Sequence, residues 1–186
     1  MIIKPAASII QELDAASFTV IGSPGSDGQG VSALQTFGRA LSGARGDFIV
    51  VLGDVSPLGR DPYYRTAVDF IERHTEKPVY VMPGNHDGPD YGEYFGCDNR
   101  AIVSEAFSLV MLDNSTRRFT DEALLFLRDA LALAESPNVV VAFHVPPPNR
   151  ISGDCLSTAA WNRYVNSFTR PIPEWFTKRV ETENTN

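Results

Sequence analysis

Five side chains able to bind metals or move protons stand where apolar runs give way to turns. The run "FIVVLGD" ends on Asp54, "VYVMPGNHD" ends on Asn85, His86 and Asp87, and "VVVAFH" ends on His144. A carboxylate, an amide oxygen and an imidazole make a donor set suited to Mn, Fe or Zn. Asp54, Asn85 and His144 are therefore the candidate metal ligands. His86 is the candidate proton donor, and Asp87 beside it is expected to orient the imidazole and support its charged form. Gly53 and Gly84 precede these ligands, as expected where backbone turns sharply beside a bound group. Each signal has a plainer reading on its own. A Gly-Asp pair often only closes a turn, an Asn after Pro-Gly often serves its backbone, and a His before prolines is commonly a partly buried histidine. Their common place at the ends of three strands is what carries the argument.

Such strand ends need a scaffold, and the sequence supplies one. Strand-like runs at "FTVIG" (18–22), "DFIVVLGD" (47–54), "KPVYVMPGNHD", "AFSLVMLDNS" (106–115) and "NVVVAFHVPPP" alternate with helical patterns. The helical patterns are "GVSALQTFGRALSG", the proline-opened "DPYYRTAVDFIERHTE", and "TDEALLFLRDALALAES" with Thr120 as its N-cap. Continuous apolar strands alternating with helices predict an α/β protein whose sheet is covered on both faces. In such proteins ligands bind beyond the carboxyl ends of the strands, where the candidate residues lie. The loop "GSPGSDGQG" lacks the GK[ST] of a P-loop and the third glycine of a dinucleotide fingerprint. It reads as a flexible loop, with a backbone phosphate nest as the other reading.

Composition limits the partners. The 186 residues are 43% hydrophobic, enough for one substantial core, and a single domain over 1–186 is expected, with a frayed tail over about 177–186. A formal net charge of −7 argues against a nucleic-acid groove or an anionic membrane surface. The N-terminal "MIIKPAASIIQELDAAS" is too polar for a signal peptide, and no run approaches the roughly 20 apolar residues of a membrane span. A cytoplasmic protein is expected. Cys97 and Cys155 form no CxxC pair and read as free thiols.

The order GD, then GNHD, then a strand ending in His before prolines resembles the calcineurin-like metallophosphoesterase family, over roughly residues 15–150. "LVMLDNS" and "AFHVPPPNR" are similar to further family strands. The resemblance implies a layered α/β sandwich in which two metals about 3.5–4 Å apart clamp an in-line attack on phosphorus. It also implies that Asp54 bridges the metals and that Asn85 and His144 bind the second. His86, held by Asp87, would then stand near the leaving group as general acid or electrostatic stabiliser.

Two family motifs are missing. The Asp-x-His that ends the first strand is replaced at Ser23 and Gly25, and no Gly-His-x-His follows His144. The chain has only three histidines, and His74, on a helix, is expected to be exposed. The reduced set implies a site for one divalent ion or for none, with Asp27, Asp113 and Asp154 as weak substitutes whose plainer role is in turns. The family's last strands have little counterpart here, so the second sheet is expected to be truncated. Trp161, Phe168, Trp175 and Phe176 would then cover its surface or form a homodimer contact. Two functions stand against each other on these residues: a metal-dependent hydrolase of a small phosphomonoester or phosphodiester, and a catalytically inactive module that binds phosphate, dimerises or docks on a partner.

Overall fold

A computed structural model of the chain describes residues 1–4, 7–24, 30–56, 58–149 and 155–167. Along them run β1 (Ile9–Glu12), β2 (Phe18–Ile21), α1 (Gly30–Ser42), β3 (Phe48–Val51), α2 (Asp61–His74) and β4 (Val79–Val81). Then come α3 (Tyr91–Phe95), β5 (Arg100–Val103), β6 (Ser108–Met111), α4 (Asp121–Leu133), β7 (Val139–Ala142) and α5 (Thr158–Val165).

The strands divide between two sheets, as expected of a layered α/β sandwich. One has the order β2-β3-β4 and is wholly parallel, with Val50 opposite Val20 and Tyr80. The other has the order β1-β5-β6-β7, parallel except for the β5–β6 pair. Side-chain alternation along each strand explains how they stack. Ile49, Val51, Val79 and Val81 face outward onto Phe37 and Leu41 of α1, Tyr64 and Ile71 of α2, and Phe95 of α3. Their neighbours Phe48, Val50 and Tyr80 face inward, where they meet Ile102, Leu109 and Met111 of the other sheet. On that sheet Ala101 and Val110 point away, onto Leu127 and Leu131 of α4 and Trp161 and Tyr164 of α5. The layers are thus helices, sheet, sheet, helices. This layering makes β3 apolar at all four positions, since neither of its faces meets water.

Four elements went unread in the sequence: β1, α3, β5 and α5. Helix α5 bears on the group of C-terminal aromatics. Ser157 caps it by accepting from the Ala160 amide at 3.2 Å, and Trp161 is buried against the outer face of the second sheet. Trp161 therefore covers that surface, the first of its two expected roles. Phe168, Trp175, Phe176 and the tail over 177–186 lie outside the described residues. Among the described residues β7 is an edge strand, with Val140 41% exposed. No helix among them is long and apolar enough to cross a membrane.

Helix α4 begins as its sequence predicts. The Thr120 hydroxyl accepts from the Ala123 amide at 3.1 Å, with Asp121 and Glu122 in the first turn. Thr120→Ala is expected to cost about 1 kcal/mol. For a chain of this length that lowers the melting temperature by about 2–4 °C, readable by calorimetry.

Candidate functional site

Three strand ends, two from one sheet and one from the other, meet at a single point. After β3 the chain turns through Gly53 and Asp54, both left-handed, with φ of 78° and 53°. Aspartate is among the few non-glycine residues that tolerate this conformation. The turn directs the Asp54 carboxylate, only 3% exposed, back towards the loop that follows β4. There Asp54 Oδ1 accepts from the His86 amide at 2.9 Å, and Oδ2 lies 3.2 Å from His144 Nε2.

His144, two residues beyond β7, has its ring fixed from behind. Nδ1 lies 2.6 Å from the Leu52 carbonyl, which can only accept, so Nδ1 carries the proton. Nε2 is thereby turned towards Asn85 Oδ1 at 2.9 Å as well as towards Asp54. Asp54 Oδ2 and Asn85 Oδ1 thus both lie within hydrogen-bonding distance of His144 Nε2. The glycines leave room for this. A Cβ on Gly84 would sit 2.2 Å from Asp54 Oδ1, and one on Gly53 would sit 2.9 Å from His144 Nδ1.

The electrostatics follow from this packing. Burial alone would raise the pKa of Asp54, but the bonds from His144 and the His86 amide outweigh it and hold the carboxyl below its ordinary value. Burial would likewise lower that of His144, yet the contact with Asp54 and the Leu52 carbonyl raise it above the usual imidazole value. Asp87 goes the other way: burial pushes its carboxyl up to about 6 against the pull of the Gly84 and Asp54 amides.

Asp87 does not hold the His86 ring. Its Oδ2 accepts from the amides of Gly84 and Asp54, both at 2.8 Å, and its Oδ1 accepts from the Tyr64 hydroxyl at 3.2 Å. Consecutive side chains on this tight turn diverge. Asp87 points inward as a backbone fastener, while His86 is exposed and reaches the cluster through its amide. Among the described residues nothing hydrogen-bonds the His86 ring to Asp87.

His74 is half-buried rather than exposed. Its ring stacks on Phe70 with centroids 4.2 Å apart, and it takes no part in the cluster. Asp113 keeps its plainer role, accepting from the Ser115 amide at 2.8 Å within a turn. Asp27 and Asp154 lie outside the described residues. Cys97 and Cys155 are free thiols. Among the described residues no group of three or more His, Cys, Asp and Glu side chains gathers, because the third member of this cluster is an amide.

Asn114, beside the aspartate that drew attention in the sequence, is the residue that positions His144. Fully buried after β6, it accepts on Oδ1 from the amides of His144 and Val145 at 3.1 and 3.0 Å, and donates from Nδ2 to the Val145 carbonyl at 2.8 Å. An Asn just past an apolar strand was the only available signal. Asn114→Ala is expected to cost roughly 2–4 kcal/mol in urea denaturation, since each buried group left unpaired costs about 1–3 kcal/mol.

A sequence model of the family described as calcineurin-like phosphoesterase matches residues 17–170. The chain belongs to that family. The match takes in all five candidate residues and runs from the start of the parallel sheet past α5. Members of the calcineurin-like phosphoesterases usually bind divalent metals. Ser23, which follows β2, is exposed, and Gly25 lies outside the described residues. No curated protein matches the chain.

Proposed function

We propose that the chain is a metal-dependent phosphoesterase with a one-ion site formed by Asp54 Oδ2, Asn85 Oδ1 and His144 Nε2. The observation that carries this reading is the convergence of those three atoms, with His144 Nδ1 committed to the Leu52 carbonyl so that Nε2 faces the two oxygens. Hard oxygens with one imidazole favour Mn, Fe or Zn. A divalent ion bound there supplies Lewis acidity towards a phosphoryl oxygen and a water of lowered pKa.

The chain's own residues supply the rest. Asp54 carries the negative charge that attracts the cation, Asn85 adds a neutral oxygen, and the Leu52 carbonyl keeps His144 in the tautomer that a ligand needs. His86, exposed next to Asn85, is assigned as the proton donor to the leaving oxygen of a phosphomonoester or phosphodiester. Asp87 supports this turn from behind and does not meet substrate. The net charge of −7 favours a small phosphorylated substrate over a nucleic acid.

A second reading has its own support. Ser23 in place of a ligand removes half of the family's electrostatic clamp, which favours a module that binds an ion or phosphate without turnover. One experiment separates the two. Metal-stripped protein is titrated with Mn²⁺ and Zn²⁺ in a calorimeter and assayed on p-nitrophenyl phosphate and its phosphodiester analogue, beside Asp54→Ala and His144→Ala. Uptake near one equivalent with turnover, both lost in each variant, supports the phosphoesterase. Uptake without turnover supports the binding module, and no uptake by the unaltered chain rejects the one-ion site.

A further inference from the structure

The two loops that supply Asp54 and Asn85 are tied together by a carboxylate that is itself held by a phenol. Asp87 Oδ2 accepts from both Asp54 N and Gly84 N, so a single oxygen fixes the spacing of the loops after β3 and β4. Its other oxygen accepts from the Tyr64 hydroxyl at 3.2 Å, and that hydroxyl accepts in turn from the Gly88 amide at 2.9 Å. Tyr64 stands in the first turn of α2 and is fully buried, its ring edge-on to Phe95 at 5.6 Å. The phenol oxygen therefore has little freedom. The chain just before α2 also packs against this turn, since a Cβ on Gly59 would lie 2.1 Å from the Gly88 nitrogen.

We propose that Tyr64 is a positioning residue for the candidate metal site, acting through Asp87 to set the distance between the Asp54 and Asn85 loops. This rests on the one-ion reading above. Without the phenol oxygen, Asp87 Oδ1 loses its donor and the Gly88 amide its acceptor. The carboxylate is then free to rotate, and as it rotates it moves the Asp54 and Gly84 amides it grips. Partners one shell out from a metal ligand are worth about 10–100-fold in metal affinity.

The test compares Tyr64→Phe with Tyr91→Phe. Tyr91 is also buried and its hydroxyl also donates to this region, but to the Val81 carbonyl at 2.7 Å rather than to Asp87. Each variant loses one buried hydroxyl, Tyr64 with two hydrogen bonds and Tyr91 with one. A purely structural role therefore predicts losses of global stability in both without a selective effect at Asp54 and Gly84. Two readouts are taken: Mn²⁺ affinity by calorimetry, and hydrogen exchange of the Asp54 and Gly84 amides in metal-stripped protein. Tyr64→Phe is expected to weaken Mn²⁺ binding about tenfold and to speed exchange at those two amides by a similar factor, with Tyr91→Phe within about twofold on both. Asp87→Asn, which keeps the side chain's shape, gives the same losses should Tyr64→Phe not fold. Unaltered affinity and exchange in Tyr64→Phe, or equal losses in Tyr91→Phe, would overturn the proposal. If the unaltered chain takes up no Mn²⁺, the one-ion reading fails on its own. Amide exchange then decides the Tyr64–Asp87 link, and unchanged protection of Asp54 and Gly84 refutes it.

Discussion

Gly84→Ala is expected to weaken Mn²⁺ binding about 100-fold and to destabilise the chain by roughly 3 kcal/mol. The added Cβ would lie 2.2 Å from Asp54 Oδ1 and 2.3 Å from Asp54 N, distances that no pair of unbonded atoms sustains. A flexible side chain would simply swing aside. Asp54 has nowhere to go: one oxygen receives the His86 amide, the other faces His144, and its backbone nitrogen is held by Asp87. Either the carboxylate turns out of the cluster or the loop after β4 moves away from β3. Both outcomes separate Asp54 from Asn85, and a displacement near 1 Å in a preorganised site costs about two orders of magnitude. Gly22→Ala is the matched control, because a Cβ there has nothing within 4 Å. Manganese titration of both variants, with urea melts for stability, makes the comparison. Normal affinity in Gly84→Ala would mean that the Asp54 carboxylate does not sit against this turn when the ion binds.

The candidate cluster was legible because its members stand at the ends of the most apolar strands. A run such as Phe48–Val51 announces a strand buried on both faces, and whatever follows it must lie at the sheet's carboxyl edge. What the runs do not reveal is pairing. Alternation says which residues share a face, yet the helices and the second sheet are equally apolar neighbours, so the runs alone do not assign strands to sheets. The second sheet was legible only through the family resemblance. Strand β5 was hidden for a different reason. It opens on Arg100, which looks like a surface residue but is 2% exposed, its guanidinium donating to the carbonyls of Ile3, Phe95 and Cys97. Strand β1, four residues at a sheet edge and largely open to solvent, had too little pattern to find.

The residues that support the cluster were out of reach for a third reason. Tyr64 and Asn114 stand far along the chain from the groups they hold, on an ordinary amphipathic helix and in an ordinary turn. Asp87 was legible as important, but its neighbour in sequence was the wrong guide to its partner. Local adjacency suggested the His86 ring, whereas the turn sends the carboxylate to three donors from other parts of the chain or turn.

The affinity for Mn²⁺ is expected to rise about tenfold per pH unit up to the pKa of His144 and to level off above it. The reason lies in what Nε2 must do. To act as a ligand it must be unprotonated, yet beside Asp54 the imidazole holds its second proton more tightly than usual, with a folded pKa above the ordinary value. Ion and proton therefore compete for one nitrogen, and binding at lower pH releases up to one proton. Stability of the ion-free chain has the opposite slope. A raised His144 pKa contributes stability that is full below its unfolded value, about 6.5, and lost as pH climbs through the folded one. Asp54, depressed in the fold, contributes stability that is full above about 3.9 and lost as pH falls through its folded pKa. Asp87, raised to about 6, reinforces the loss as pH rises towards that value. The ion-free protein is thus expected to be most stable in the acidic range between those limits, while ion binding strengthens towards and beyond neutrality. Calorimetric titrations in buffers of different ionisation enthalpy count the released proton, and melting curves across the same pH range give the stability profile. An affinity that stays flat from acidic to mildly alkaline pH would remove His144 from the ligand set.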